Sequence, residues 1–253
     1  MRRMHFVGIG GTAMASLAAM VKRQGVAVTG SDLEIYSPMK EFLAAEDIKP
    51  FRGYSAEQIS DEFDLVVIGN AISRGNVELE AVLDRRMQYA SLPEVIRNEF
   101  LWQKRSLVIA GTHGKTTTAA MTAWLLTFGK VDPSMLVGGV ANNFGSSYRL
   151  GSGKDFVIEG DEYDSAFFDK TAKFLKYLPN VAVVGNVEFD HADIYSDLEV
   201  VRTAFRRFVM LLPTNGLLLL GADNSEALSL QQFAPCRVET FGLSSNADWC
   251  ASQ

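Results

Sequence analysis

Leu107-Val108-Ile109-Ala110 is an apolar run that stops at Gly111, and Gly114-Lys115-Thr116-Thr117-Thr118 separates it from a second apolar stretch, Ala119 to Leu126. A short run without polar alternation reads as a strand buried on both faces of a parallel sheet. The longer stretch reads as a helix. Strand, glycine turn and helix in that order form a phosphate cradle. Glycines let backbone N–H groups face an anion, and the helix start adds its positive end. The Lys115 ammonium would reach the outer phosphates of ATP, and the Thr116 hydroxyl would hold Mg²⁺. Gly111, Thr112, His113, Gly114, Lys115, Thr116 and Thr117 are the ATP-binding candidates. The general motif has four residues between its first glycine and Gly-Lys. Only Thr112 and His113 stand there, so an ordinary glycine-rich turn is the competing reading.

The chain before this cradle alternates in the same way. His5 to Ile9 is a short apolar strand, followed by Gly8-Ile9-Gly10-Gly11-Thr12-Ala13 and a helix through Met14, Leu17 and Met20 to Gly25. Val26 to Thr29 is a second strand, ending near Asp32. This βαβ unit has the form of a dinucleotide site, with a diphosphate on the helix start and Asp32 on a ribose hydroxyl. The same geometry accepts any nucleotide diphosphate, including a UDP-sugar. Further strands are expected at 48–51, 65–69 and 89–91. Helices are expected at 38–45, from Ser55, at 77–86 and at 93–100. The loop after Gly69, with Asn70 and Ala71, lies at a strand's carboxyl end, where ligands of open α/β sheets bind. The boundary is placed at Gln103-Lys104-Arg105. It divides a Rossmann-like parallel-sheet domain, 1–103, from a P-loop ATPase-type α/β domain, 104–253.

In that second domain, 137–145 reads as a Gly- and Asn-rich loop. Phe156-Val157-Ile158 is a strand ending in Glu159-Gly160-Asp161-Glu162-Tyr163-Asp164. Carboxylates so crowded repel one another unless cations offset them, and beside an ATP cradle the natural cation is Mg²⁺. A solvated acidic turn is the alternative. Val181 to Val184 is another buried strand, leading to Glu188, Asp190, His191 and Asp193. His191 could ligate metal or position a phosphoryl group. Leu198 to Leu212 is an amphipathic helix, with Phe205 and Phe208 inward. A strand at 216–220, a helix at 225–232 and a strand at 238–241 follow, and then a tail from Ser244.

The 253 residues suffice for two domains. A net charge of −6 argues against a nucleic-acid partner. Cys236 and Cys250 form no metal or redox motif, and no apolar run approaches a membrane span. Glycines interrupt the apolar N-terminus before it resembles a signal peptide. A cytoplasmic location without membrane partners is expected.

Gly111-Thr112-His113-Gly114-Lys115-Thr116-Thr117, Glu159-Gly160-Asp161-Glu162-Tyr163-Asp164 and Asn186-Val187-Glu188-Phe189-Asp190-His191 occur in this order. Together they resemble the Mur ligase family of ATP-dependent amide-forming enzymes, whose phosphate loop has this short spacing. Gly8 to Ala15 resembles the members that bind UDP-N-acetylmuramate. The resemblance implies a UDP-sugar site at Gly8, Gly10, Gly11, Thr12, Ala13, Met14, Asp32, Asn70 and Ala71. It implies that Lys115 binds the β- and γ-phosphates. Thr116, Glu159 and His191 gather around Mg²⁺, with Glu162 a further candidate, and Lys115, Glu159 and His191 are the catalytic set.

One branch of the family joins L-alanine to UDP-N-acetylmuramate. Another joins the tripeptide L-alanyl-γ-D-glutamyl-meso-diaminopimelate to it in cell-wall recycling. Residues 69–76, 161–170 and 188–193 resemble the tripeptide-adding branch. The lactyl carboxylate would attack the γ-phosphate, and the resulting acyl phosphate would meet the peptide amine. A nicotinamide dehydrogenase, built on the first glycine turn, and a non-catalytic nucleotide-binding module are the more distant readings. Family members have a three-domain body longer than this chain. The expectation is an incomplete ATPase domain, no C-terminal domain, and no ligation by this chain alone.

Overall fold

The computed structural model describes residues 1–188 and 198–251. They divide into two compact units, Met1–Glu99 with Asp164–Lys170, and Phe100–Tyr163 with Thr171–Gln253. The first unit contains β1 (Arg3–Val7), α1 (Thr12–Arg23), β2 (Ala27–Asp32), α2 (Met39–Ala45), β3 (Phe51–Arg52), β4 (Leu65–Ile68), α3 (Val77–Asp84), β5 (Tyr89–Ser91) and α4 (Leu92–Ile96). Its five strands lie in the order β3-β2-β1-β4-β5, all parallel. Met4, Phe6 and Val7 of β1 are fully buried, as its central place requires. The chain winds from β1 to one edge and returns to the other side of β1. The carboxyl ends of β1 and β4 therefore form the crevice where such sheets bind ligands.

Two local expectations shift here. The strand expected at 48–51 begins only at Phe51. Pro50 has no N–H for a ladder, and Ile48 is buried instead. The helix expected at Ser55 is a single 3₁₀ turn, Ala56–Gln58. The Ser55 hydroxyl accepts the Glu57 N–H at 3.3 Å, but the Ser55 N–H goes to Glu78 Oε1 at 3.2 Å rather than to Gln58. The reciprocal cap sits at α4, where Glu94 Oε2 accepts the Ser91 N–H and hydroxyl at 2.8 and 2.6 Å.

The second unit follows with β6 (Arg105–Ala110), α5 (Lys115–Phe128), β7 (Ser134–Ala141), β8 (Ser146–Arg149) and β9 (Asp155–Gly160). A short hairpin, β10 (Asp164–Ala166) and β11 (Asp169–Ala172), comes next. The chain continues through β12 (Pro179–Val184), α6 (Leu198–Val209), β13 (Leu217–Gly221), α7 (Ser225–Ser229), β14 (Arg237–Gly242) and β15 (Trp249–Cys250). The eight-stranded sheet has the order β15-β14-β13-β12-β6-β9-β7-β8. Every neighbouring pair is parallel except β7 and β8. Ala119 and Ala123 put the narrow side of α5 on the sheet, against Ile109, Met135, Val137 and Val157.

The Gly- and Asn-rich stretch 137–145 is not a free loop. Its first half lies in β7, whose pairing with β8 slips between Leu136 and Ala141. Gly138 and Gly139 occupy that irregularity, the usual place for glycine inside a strand. Residues 249–250 of the expected tail add a strand beside Phe241.

Candidate active site

In the first unit the glycine turn after β1 is shaped by its neighbours. Gly8 has φ 82°, and its N–H donates to Ser31 O at 2.9 Å. Asp32 closes the turn. Its Oδ2 accepts the Gly10 N–H at 2.7 Å, and Oδ1 accepts the Leu33 N–H at 2.8 Å and the Tyr54 hydroxyl at 3.3 Å. A Cβ on Gly10 would lie 2.8 Å from that carboxylate. Burial, and then Asp32, pushes the Tyr54 hydroxyl up to about 12. In this structure Asp32 fastens the turn with both oxygens.

Gly11 opens onto free space and precedes Thr12 at the start of α1, with Ala13 in the first turn. Met14 is buried and packs toward Gly69. Asn70 and Ala71 stand exposed on the loop after β4. The Gly69 N–H donates to Val7 O at 2.9 Å, so the turns after β1 and β4 adjoin. Beneath them His5, Ser31 and Glu78 are fully buried together. Sequence reasoning assigned no role to that cluster, because its members lie on three separate elements.

In the second unit the cradle stands between β6 and α5. Gly111 has φ 137°, and a Cβ there would come within 3.0 Å of Asn186 O. Gly114 takes the left-handed conformation, φ 78°, as the N-cap of α5. A side chain would be strained at either glycine. Lys115, Thr116 and Thr117 are the first three residues of α5. Their backbone N–H groups have no partner inside the helix and are available to an anion.

Asn186, just after β12, braces the loop from the other side. Its Oδ1 accepts the His113 N–H at 2.8 Å, its Nδ2 donates to His113 O at 3.3 Å, and its backbone carbonyl accepts the Thr112 N–H at 3.0 Å. The Thr112 hydroxyl accepts the Glu188 N–H at 2.8 Å. Asn186 was visible in the motif, but nothing in its residue type announced this bracing role.

The Thr116 hydroxyl lies 2.9 Å from both oxygens of Glu159. Glu159 Oε2 also accepts the Gly138 N–H at 2.7 Å. Lys115 Nζ donates to Thr112 O at 3.1 Å and to Glu162 Oε1 at 3.0 Å. Burial pushes the Glu162 carboxyl up, while Lys115 pulls it the other way. The acidic cluster is thus divided among separate partners. Glu162 pairs with Lys115, Asp161 with Lys173 at 2.6 Å, and Asp164 with Lys170 at 3.0 Å. Lysines thus supply the offsetting cations for three of these carboxylates. His191 lies outside the described residues.

Among the described residues no three His, Cys, Asp or Glu side chains gather to hold a metal by themselves. Thr116 and Glu159 nevertheless offer hard oxygen atoms of the kind that could hold Mg²⁺ together with phosphate and water. A groove of 350 Å³ runs on from Thr116 and Thr117, walled by Trp124 and Phe144 and edged by Asn142 and Asn143. No helix among the described residues is long and apolar enough to cross a membrane.

The family model described as "Mur ligase family, catalytic domain" matches residues 3–99, and that described as "Mur ligase middle domain" matches residues 109–253. The chain is 44% identical over 217 residues to the UDP-N-acetylmuramate–L-alanyl-γ-D-glutamyl-meso-2,6-diaminoheptandioate ligase of Escherichia coli, covering 86% of this chain and 48% of that protein. It is 41% identical over 227 residues to the ligase of the same name from Haemophilus influenzae, covering 90% and 50%. A crystal structure of the corresponding diaminopimelate ligase from Neisseria meningitidis superposes with a TM-score of 0.92 at 40% identity, over 98% of this chain and 79% of that one. The chain spans about half the length of the curated relatives it matches. On its motifs, its fold and these matches, the chain belongs to the Mur ligase family.

Proposed function

We propose that this chain carries the UDP-N-acetylmuramate-binding and ATP-binding parts of a ligase. The ligase joins UDP-N-acetylmuramate to the tripeptide L-alanyl-γ-D-glutamyl-meso-diaminopimelate through an acyl phosphate. The observation that carries the reading is the opening of α5. Lys115 and Thr116 follow two left-handed glycines, with Thr116 on Glu159. Residues 1–103 supply the UDP-sugar site at the turns after β1 and β4. Residues 104–253 supply the phosphate cradle. The names of the E. coli and H. influenzae relatives favour the tripeptide over L-alanine as the amine. Such a ligase draws on ATP and a UDP-linked precursor, which places it in the cytoplasm.

Bound Mg²⁺–ATP supplies a γ-phosphoryl group for transfer to the lactyl carboxylate. This chain's residues bind and orient. The first-turn N–H groups of α5 and the Lys115 ammonium offset phosphate charge, so that a second anion can approach. Thr116 and Glu159 present oxygen toward the metal, and His191 is the further candidate there. Gly8, Gly10, Gly11 and the start of α1 leave room for a diphosphate.

Calorimetric titration with UDP-N-acetylmuramate and, separately, with NADH tests the reading. Saturable binding of the first and none of the second is expected. The reverse result would overturn it in favour of a dehydrogenase.

A further inference from the structure

We propose that the buried cluster of Glu78, Ser31 and His5 positions the glycine turn after β1 from beneath, and so sets how tightly that turn takes a diphosphate. The inference rests on the UDP-sugar site proposed above and adds positioning residues to it. All three are fully buried, so none reaches a ligand itself. A carboxylate is costly to bury unless strong donors meet it. Glu78 has such donors: Oε2 accepts the Ser31 hydroxyl, and Oε1 accepts the Ser55 N–H at 3.2 Å. His5 completes the group. Its Nε2 lies 3.4 Å from Ser31 Oγ and 3.7 Å from Glu78 Oε2, and its Nδ1 lies 2.8 Å from Thr29 Oγ1. The ring stacks on Phe63, with 5.0 Å between centres.

Ser31 carries the link to the site. Its hydroxyl serves Glu78, while its carbonyl accepts the Gly8 N–H at 2.9 Å and the Ile9 N–H at 3.1 Å. One residue near the end of β2 thus joins the buried carboxylate to the two amides that open the turn. A hydroxyl bond to a carboxylate is about twice as strong as one between neutral groups, and it holds Ser31 in one rotamer. From the other side Ile72 packs on the turn, 3.2 Å from where a Gly8 Cβ would be. Glu78 also belongs to that side. It is the second residue of α3, and Asn76 Oδ1, at the end of the loop after β4, accepts the Glu78 and Leu79 N–H groups at 3.0 and 3.1 Å. The carboxylate is therefore tied to both loops of the crevice, to one through Ser31 and to the other through its own backbone. A fully partnered buried network is rigid, and a turn already shaped for the diphosphate loses less freedom on binding it.

The test is calorimetric titration of UDP-N-acetylmuramate into wild type, Ser31→Ala, Glu78→Gln and the double variant, at a temperature where urea melts show each protein to be folded. Ser31→Ala is expected to weaken binding about tenfold, the scale of one hydrogen bond to a charged group. Glu78→Gln keeps the shape, loses the charge and is expected to weaken binding by a smaller factor. The double variant should bind no more weakly than Ser31→Ala, because both changes cut one chain of contacts. Affinity for the β,γ-imido analogue of ATP with Mg²⁺ should stay at the wild-type value throughout. Lower urea midpoints with unchanged UDP-N-acetylmuramate affinity would make the cluster a stabilising device only, and would overturn the proposal. Multiplicative losses in the double variant would overturn the route through Ser31.

Hydrogen exchange without ligand reads the brace itself. The Gly8 and Ile9 amides should be protected in wild type and exchange at least about tenfold faster in Ser31→Ala, while the Gly69 amide, bonded to Val7 O, keeps its wild-type rate. Unprotected Gly8 and Ile9 amides in wild type would overturn the proposal, even if neither variant folds. If wild type bound no UDP-N-acetylmuramate, the UDP-sugar reading would fail, while the exchange result would still decide whether the buried cluster holds the turn.

Discussion

Asp161, Glu162 and Asp164 could be counted in the sequence, but not the lysine each would meet. Lys115 reaches Glu162 from another element, Lys170 lies in a hairpin that no sequence pattern announced, and Lys173 directly follows it. Gly111 and Gly114 were legible, because left-handed turns leave few other residue types. Gly111→Ala should weaken nucleotide binding and cost about 1–3 kcal/mol of stability, since the added carbon meets Asn186 O at 3.0 Å in a strained conformation. Urea melts and calorimetry check both effects. Asp132 offers a pH prediction. Hydrogen bonds from the Ser152 hydroxyl and amide, and then from Arg149, hold its carboxyl well below the usual carboxylate range. A carboxyl depressed in the folded state stabilises above its unfolded value, and that contribution is lost as pH falls below about 4 toward the folded value. Asp132→Asn should melt earlier than wild type at neutral pH, and the gap should narrow in melts near pH 3.

Elements with a clear period were readable, and those that depend on partners were not. In α6, Val201, Phe205, Phe208 and Val209 recur at helical spacing and are buried, and Phe174 lies 5.2 Å from Phe205 and 4.7 Å from Phe208 between ring centres. Phe208→Ala should cost about 3–5 kcal/mol in chemical denaturation, as a large aromatic leaves a cavity. A loss under 1 kcal/mol would mean that the α6 face is not a core surface. The β7–β8 hairpin was hidden by Gly138, Gly139, Asn142 and Asn143, whose types signal a turn. Its strand character comes from β9, which pairs with Ser134, Met135 and Leu136. The 3₁₀ turn at Ala56–Gln58 looked like a helix start because Ser55 and Gln58 have the capping spacing. Glu78, distant in sequence, took the amide that a true cap would have satisfied.

At the scale of the molecule, alternation of strand and helix was enough to expect two parallel-sheet units, and strand order was not visible in it. Order positions the candidate sites, because β1 and β4 adjoin in one sheet and β6 and β12 in the other, bringing their carboxyl-end loops together. Asn186 thereby reaches His113, although 73 residues separate them. The family membership rests on both units, and the proposed nucleotide site rests on the second. The most direct test is calorimetric titration of the β,γ-imido analogue of ATP with Mg²⁺ into wild type and Lys115→Ala. The account predicts saturable binding to wild type and affinity at least about tenfold weaker in the variant, the loss of one charge-assisted contact. Equal affinity in both proteins would contradict it.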